Sequence, residues 1–343
     1  METSVMFVTN ALSGGGAERA SNVIVNALSE LEFGVVIVCI NAGDRDFVEL
    51  KCPTYELDRP WPGNLFSTVI ALFKLQILVI RLKPKVLVLN CDLPEFLGSL
   101  VFFAGQRIIV EHASRPWETR SLLGKIVRRL LRKKNSKWVA VSPHLSIWPH
   151  NTDPDEVFCN PVMLPEKQRM EEKKVFSSPR LIHIGRLIPS KQPTWCLEIA
   201  RRLGRESVFM GAGPLESELK AISEFESVDA TFLGFAKDPW VHVQEGDLVL
   251  VTSKSEGDGL VVIEAILHQR PFLVFDTLDF KKFNLPSDFL CKSIDDFELK
   301  ASQFFSGELK LCISQEFRQQ LIMERDPKIV ASKWIKFFTS IKT

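Results

Sequence analysis

Glu256 and Glu264 stand eight positions apart in Ser253-Lys-Ser-Glu-Gly-Asp-Gly-Leu-Val-Val-Ile-Glu-Ala265, on either side of a turn containing two glycines. Carboxylates so placed can act as an acid–base pair or accept hydrogen bonds from the hydroxyls of a polar substrate. Asp247-Leu-Val-Leu-Val-Thr252 predicts a short buried strand before them, and Leu260 to His268 predicts a helix after them. Glu256, Gly257, Asp258 and Gly259 then fall at the carboxyl end of a strand, where open α/β sheets collect ligands. Leu260 opens a helix whose first N–H groups and positive dipole end suit an anion. Glu264 falls about one turn into that helix, able to face the same crevice as Glu256. A solvated strand-to-helix loop would read the same way.

Fixed cations appear in a second stretch. Arg180-Leu-Ile-His-Ile-Gly185-Arg186-Leu-Ile-Pro-Ser-Lys191 predicts a strand that delivers Arg186 and Lys191 into the loop before a helix. Such cations can neutralise a departing diphosphate without a metal, arginine as a fork and lysine as a point charge, or can be surface ion-pair partners. Near the start, Val5 to Thr9 predicts a strand and Gly14-Gly15-Gly16-Ala17-Glu18 a glycine loop opening a helix. Its glycines would admit close approach of backbone N–H groups to a bound group, or simply make a tight turn. The absence of Gly-Lys-Ser/Thr excludes a P-loop, and G-x-G-x-x-G spacing is missing. Glu111-His112 also ends a strand, so His112 is a candidate for catalysis or for capping that strand. Gly211-Ala-Gly213-Pro214 is a further strand-to-turn junction.

These residues need strands to hold them. The apolar runs Val35–Ile40, Val86–Asn90 and Arg107–Glu111 alternate with helical stretches at Asn64–Leu82 and Pro94–Ala104, which predicts a parallel sheet covered on both faces. The alternation restarts after a charged, proline-bearing segment. At 343 residues the chain has room for two domains, read as 1–162 and 180–326 with a linker at 163–179. A last helix at 327–343 has apolar positions, Val330, Trp334, Phe337 and Phe338, that need a surface to cover them. Leu65–Leu82 is nearly long enough to span a bilayer, but Lys74, Gln76 and Arg81 interrupt it, so a packed helix is expected. In Ser121–Lys134 the leucines, Ile126 and Val127 are assigned one face, and Lys125, Arg128, Arg129, Arg132 and Lys133 the other. That charged face is either solvated or adsorbed to an anionic leaflet.

A net charge of +1 argues against bulk nucleic-acid binding. Seven scattered cysteines without a C-x-x-C pair argue against a disulfide framework or zinc knuckle. With an N-terminus that enters a strand directly, they lead us to expect a cytoplasmic protein.

In their order and spacing, Gly14–Glu18, Glu111-His112, Val141-Ser142, Asn160-Pro161, Gly185-Arg186-Leu187 with Lys191, Gly211–Pro214 and Glu256–Leu260 with Glu264 resemble glycosyltransferase family 4, the retaining sugar transferases of GT-B fold. The resemblance covers nearly the whole chain. It implies an α/β fold of two Rossmann-like domains with parallel sheets facing across a cleft, the last helix crossing back onto the first domain. It implies catalytic roles for Arg186, Lys191, Glu256 and His112. Donor contacts would come from Gly15, Gly16, Gly185, Gly213, Gly257, Asp258, Gly259, Leu260 and Glu264, the last to ribose hydroxyls. Glu18 and Glu111 would lie on the acceptor side. The implied reaction moves a hexose from a UDP- or GDP-sugar to a glycan, lipid-linked if the Ser121–Lys134 helix meets an inner leaflet, in surface polysaccharide synthesis. A GT-B epimerase or hydrolase, or a non-catalytic sugar-nucleotide-binding subunit, would share the phosphate site. No metal or other cofactor is expected; Asp44-Arg-Asp46 and Asp153-Pro-Asp155 are read as chance D-x-D matches. Two departures from the family stand out: Asp258, where relatives often carry a large apolar residue, and Phe275–Phe280, which lacks the usual glycines.

Overall fold

A computed structural model describes residues 4–12, 14–41, 49–59, 64–113, 116–163 and 178–341. Asp44, Asp46 and residues 164–177 of the expected linker lie outside the described residues. The chain forms two compact units, Met1–Met163 with Glu324–Thr343, and Leu164–Met323.

The first unit is built on seven parallel strands: β1 (Val5–Thr9), β2 (Val35–Asn41), β3 (Thr54–Arg59), β4 (Val86–Asn90), β5 (Gln106–Glu111), β6 (Lys137–Ala140) and β7 (Glu156–Val157). They lie in the order β3-β2-β1-β4-β5-β6-β7. Side chains alternate between sheet faces along each strand, so a continuous apolar run supplies two cores. Val5, Phe7 and Val88 pack under α1 (Gly16–Glu30) and α10 (Pro327–Ser340), with Leu28 and Trp334. Met6, Val8 and Leu87 pack under α2 (Leu65–Leu82), α3 (Asp92–Leu100) and α4 (Ser121–Lys133), with Leu75, Leu97 and Leu131. The apolar side of α10 finds its cover here: Trp334 meets Phe158 at 4.9 Å and Phe7 at 6.1 Å between ring centres. Asp326 caps this helix by accepting from the N–H groups of Lys328 and Ile329.

The second unit has six parallel strands in the order β10-β9-β8-β11-β12-β13. They are β8 (Leu181–Ile184), β9 (Ser207–Met210), β10 (Ala230–Gly234), β11 (Leu248–Val251), β12 (Phe272–Phe275) and β13 (Leu290–Cys291). Their helices are α5 (Pro193–Leu203), α6 (Glu216–Phe225), α7 (Leu260–Leu267) and α8 (Ile294–Ser306); α9 (Gln315–Arg325) then leads to α10. Two Rossmann-like domains with parallel sheets are therefore present, as expected.

Helix α4 departs from the sequence reading. Gly124, Val127, Arg128 and Leu131 form its buried stripe, while Leu122, Leu123, Ile126 and Leu130 are exposed among Lys125, Arg129, Arg132 and Lys133. Gly124 lets the helix close on Trp117, whose Cγ would lie 2.4 Å from an added Cβ. Arg128 thus cannot face a membrane. Its Nε and Nη2 donate to the two oxygens of Glu95 at 2.9 and 2.6 Å, and Nη1 donates to Glu111 Oε2 at 2.5 Å and Trp148 O at 2.8 Å. The rings of Trp138 and Trp148 also flank the guanidinium. Glu111 is corrected by the same contact. Along β5 it shares a face with Ile109, so it points under α4 and is held by Arg128 rather than being free for an acceptor. Burial pushes its carboxyl up to about 7 despite the arginine.

Candidate functional site

Strand order in the second sheet reverses between β8 and β11, so the loops after these strands open side by side at a topological switch point. The two sequence stretches bearing Arg186, Lys191 and Glu256 meet there. Thr252 Oγ1 donates to the carbonyls of Lys191 and Gln192 at 2.8 and 3.0 Å, and Lys254 N donates to Ser190 O at 2.9 Å. Lys191 Nζ is paired with Glu256 Oε1, which also accepts from Ser253 Oγ at 2.8 Å. Arg186, by contrast, is exposed and has no ion-pair partner among the described residues.

Backbone geometry sets this arrangement. Gly185 sits at φ +146°, where a side chain is strained, and its N–H donates to Met210 O at 2.9 Å. Gly213, expected at the donor, packs on Leu187: an added Cβ would lie 2.4 Å from the Leu187 carbonyl oxygen. Contact between the loops after β8 and β9 is thus sufficient reason for a glycine there.

Gly259, at φ +69°, is the N-cap of α7 and offers no side-chain acceptor to the helix. No acceptor among the described residues faces the N–H groups of Gly257, Gly259 and Leu260. Unsatisfied donors at the positive end of a helix form an anion-binding position. Glu264 lies within α7 and is buried, with Oε2 accepting from Trp240 Nε1 at 2.9 Å. Trp240 in turn stacks on His268, its ring centre 5.0 Å away.

Asp258 does not present a bare carboxylate. It is buried, and its Oδ1 pairs with Lys282 Nζ at 3.0 Å. Lys282 comes from the 3₁₀ segment Leu278–Phe283, which overlaps the end of the glycine-poor Phe275–Phe280 stretch. From the same segment, Asp279 Oδ2 accepts from the Glu256 N–H at 2.7 Å. Sequence reasoning missed Asp279, Lys282 and Trp240, which no local spacing ties to residues some twenty positions away. His183 on β8 was also missed. It is buried, neither ring nitrogen has a hydrogen-bond partner among the described residues, and burial reinforced by the Lys191 charge lowers its pKa to about 3, so it stays neutral.

In the first unit the order reverses between β1 and β4. The glycine loop after β1 leads into α1, where Glu18 turns back and accepts the Gly15 N–H at 3.1 Å. Gly16 is the first residue of α1. Asn90, at the end of β4, donates to Ser21 Oγ at 2.9 Å, and its Oδ1 lies 3.2 Å from His112 Nε2. Gly15, Gly16, Glu18 and His112 therefore surround the carboxyl ends of β1, β4 and β5, joined by Asn90 and Ser21, which the sequence reading did not include. Of the D-x-D matches, Asp155 accepts from Lys137 Nζ at 2.7 Å and from the Trp138 N–H at 2.8 Å, holding the β6–β7 connection.

Comparison with known proteins adds to this geometry. Residues 178–296 match the family model described as glycosyl transferases group 1. The poly(ribitol-phosphate) alpha-N-acetylglucosaminyltransferase of Staphylococcus aureus is 25% identical over 189 residues, 49% of this chain and only 37% of that relative's length. An uncharacterized glycosyltransferase of Haemophilus influenzae is 23% identical over 298 residues, 79% of each chain. Among solved structures, HepE of Anabaena in complex with UDP and glucose superposes with a TM-score of 0.79 at 15% identity, covering 99% of this chain and 100% of that one. The chain has the GT-B fold, and its second domain is similar to the glycosyl transferases of group 1.

Proposed function

We propose that this protein is a retaining, family 4 glycosyltransferase that moves a hexose from a UDP- or GDP-linked donor to a glycan acceptor. The observation that carries the reading is the meeting of Arg186, the Lys191–Glu256 pair and the open N-terminus of α7 at one switch point. Breaking the anomeric C–O bond leaves negative charge on the diphosphate and positive charge on the sugar. Arg186, Lys191 and the α7 N–H groups answer the first; Glu256, oriented by Lys191, Ser253 and the Asp279 contact at its own N–H, is placed against the sugar. These cations let the leaving group depart without a metal. Glu264, steadied by Trp240, accepts from ribose hydroxyls through its other oxygen. Gly15, Gly16, Glu18 and His112 are assigned to the reacting sugar and the acceptor.

A bacterial surface polysaccharide is the favoured product, in keeping with the staphylococcal relative named for a polymer acceptor. The acceptor is assigned to the lipid-linked class because the exposed side of α4 mixes apolar and basic groups. All seven cysteines are free thiols, which fits a cytoplasmic location. A thermal-shift panel of UDP- and GDP-sugars tests the donor. At about 100 times its dissociation constant the right one adds ~2.7 kcal/mol of stability. A panel without any shift refutes the reading, and rapid stoichiometric consumption of donor without acceptor would show an epimerase or hydrolase instead.

A further inference from the structure

Helix α2 is packed on one side only. Ala71, Leu75 and Val79 are buried against the sheet, whereas Phe66, Phe73, Ile77 and Ile80 are between 62% and 73% exposed. These four lie at i, i+7, i+11 and i+14, a single stripe along a helix of 18 residues, about 27 Å long. Gln76, which interrupts the apolar run in the sequence, has a definite task. Its Oε1 accepts from the Phe102 N–H at 2.7 Å and its Nε2 donates to Phe102 O at 3.1 Å. Both bonds hold Phe102, 88% exposed, beside α2. The backbone of a largely exposed aromatic residue is thereby held beside α2, just past the end of α3.

Helix α4 belongs to the same layer. Helices α2, α3 and α4 cover one face of the first sheet, α3 lying between and packing against both. The outer side of α4 adds Leu122 and Ile126 together with Lys125, Arg129, Arg132 and Lys133. Neither α2 nor α4 contains an aspartate or glutamate. The layer's outer face thus offers apolar groups at one end and cations at the other.

We propose that this outer face docks on an anionic lipid bilayer, with α2 and Phe102 entering the interface and the α4 cations meeting the headgroups. Charge decides the occupant: pairing α2 with α2 of a second copy would leave the α4 cations without counter-charges, whereas an anionic surface supplies both contacts. Burial of Ala71, Leu75 and Val79 keeps α2 lying along its sheet, so it enters the interface side-on instead of spanning. The inference is independent of the donor reading, since none of these residues belongs to the nucleotide site.

Flotation of the full chain with vesicles tests it, using phosphatidylcholine alone and phosphatidylcholine mixed with phosphatidylglycerol. Binding is expected to the anionic vesicles, weaker at high salt, and weak to phosphatidylcholine alone. Each cation removed should cost about fivefold in binding. The Lys125→Glu/Arg129→Glu/Arg132→Glu variant should therefore lose it almost completely, and Phe66→Ser/Phe73→Ser/Ile77→Ser should lose at least about tenfold. All six positions are exposed, and unchanged thermal melting will show that each variant is folded. Failure of the wild type to float with anionic vesicles overturns the proposal, as does wild-type binding by both variants. So does concentration-dependent dimerisation in vesicle-free solution that the α2 variant abolishes, which would give this face to a second copy. Nucleotide-sugar binding measured on the same variants should be unchanged, which separates this outcome from that of the donor reading.

Discussion

Arg128→Ala leaves two buried carboxylates facing each other without a cation. In the wild type the guanidinium satisfies Glu95 through two bonds at 2.6 and 2.9 Å and Glu111 through two at 2.5 and 3.3 Å, with side chains only 1% exposed. The four-membered contact with Trp148 O joins α3, β5, α4 and the segment after β6. Removing one partner of such a buried pair typically costs ~3–5 kcal/mol, because the charge left behind is neither solvated nor neutralised. That is a large share of the ~5–15 kcal/mol by which a domain is stable. Urea denaturation followed by circular dichroism should show the first unit unfolding at much lower denaturant, while nucleotide binding by the second unit persists. Glu111→Gln should cost far less, about 1 kcal/mol, because the Glu95 fork remains. It should also change the pH dependence. The Glu111 carboxyl titrates near 7 in the fold against an ordinary 4.5, so the folded state holds the extra proton between those values. The favourable contribution is complete below about 4.5 and is lost as pH rises through 7, and the glutamine variant should lack that slope. A loss under about 1 kcal/mol for Arg128→Ala would refute the buried triad and return this arginine to the surface.

Three further outcomes follow from the second unit. His183 titrates near 3 in the fold against an ordinary 6.5, so the unfolded chain binds the proton first and stability falls as pH drops from 6.5 toward 3, by up to ~1.4 kcal/mol per pH unit. His183→Leu should flatten that fall in an acid-denaturation series; an unchanged slope would show that another group causes it. Trp240→Phe removes the donor to buried Glu264 and should cost ~1–3 kcal/mol by urea titration and weaken nucleotide binding. Equal binding would detach Glu264 from the nucleotide. Gly211→Ala, whose Cβ would lie 1.9 Å from the Gly185 carbonyl oxygen at φ +146°, should fail to fold or lose more than ~4 kcal/mol. Recovery of a protein with wild-type melting temperature would contradict that close approach.

The alternation of apolar runs with helical stretches was enough to read two parallel sheets, because strands buried on both faces are written as continuous apolar sequence. Strand ends followed by Arg186, Lys191 and Glu256 were legible for the same reason. Pairings between distant segments were not. Lys282 neutralises Asp258 and Asp279 holds the Glu256 N–H from a 3₁₀ segment whose sequence carries no periodicity. The α4 stripe was misread because a helical projection alone sorts residues by polarity, and polarity fails where a buried arginine has two carboxylate partners. Gly124, small enough to admit Trp117, was the signal on that helix: the close side runs through 124, 127, 128 and 131. Helix α2 packs on its sheet through Ala71, Leu75 and Val79 as expected, but apolar composition says nothing of how much of a helix its own sheet can cover.

Calorimetric titration of UDP and GDP into the wild-type protein and the Arg186→Ala variant tests the donor site most directly. Arg186 is an exposed cation in the loop after β8, at the switch point where α7 opens, so one nucleoside diphosphate should bind the wild type and bind Arg186→Ala at least about tenfold more weakly, a charge-assisted contact being worth ~1.5–3 kcal/mol. The corresponding nucleoside, without phosphates, should bind both proteins alike. No binding of either diphosphate to the wild type, or equal affinity for the two proteins, would contradict the assignment of this switch point to a nucleotide-sugar donor.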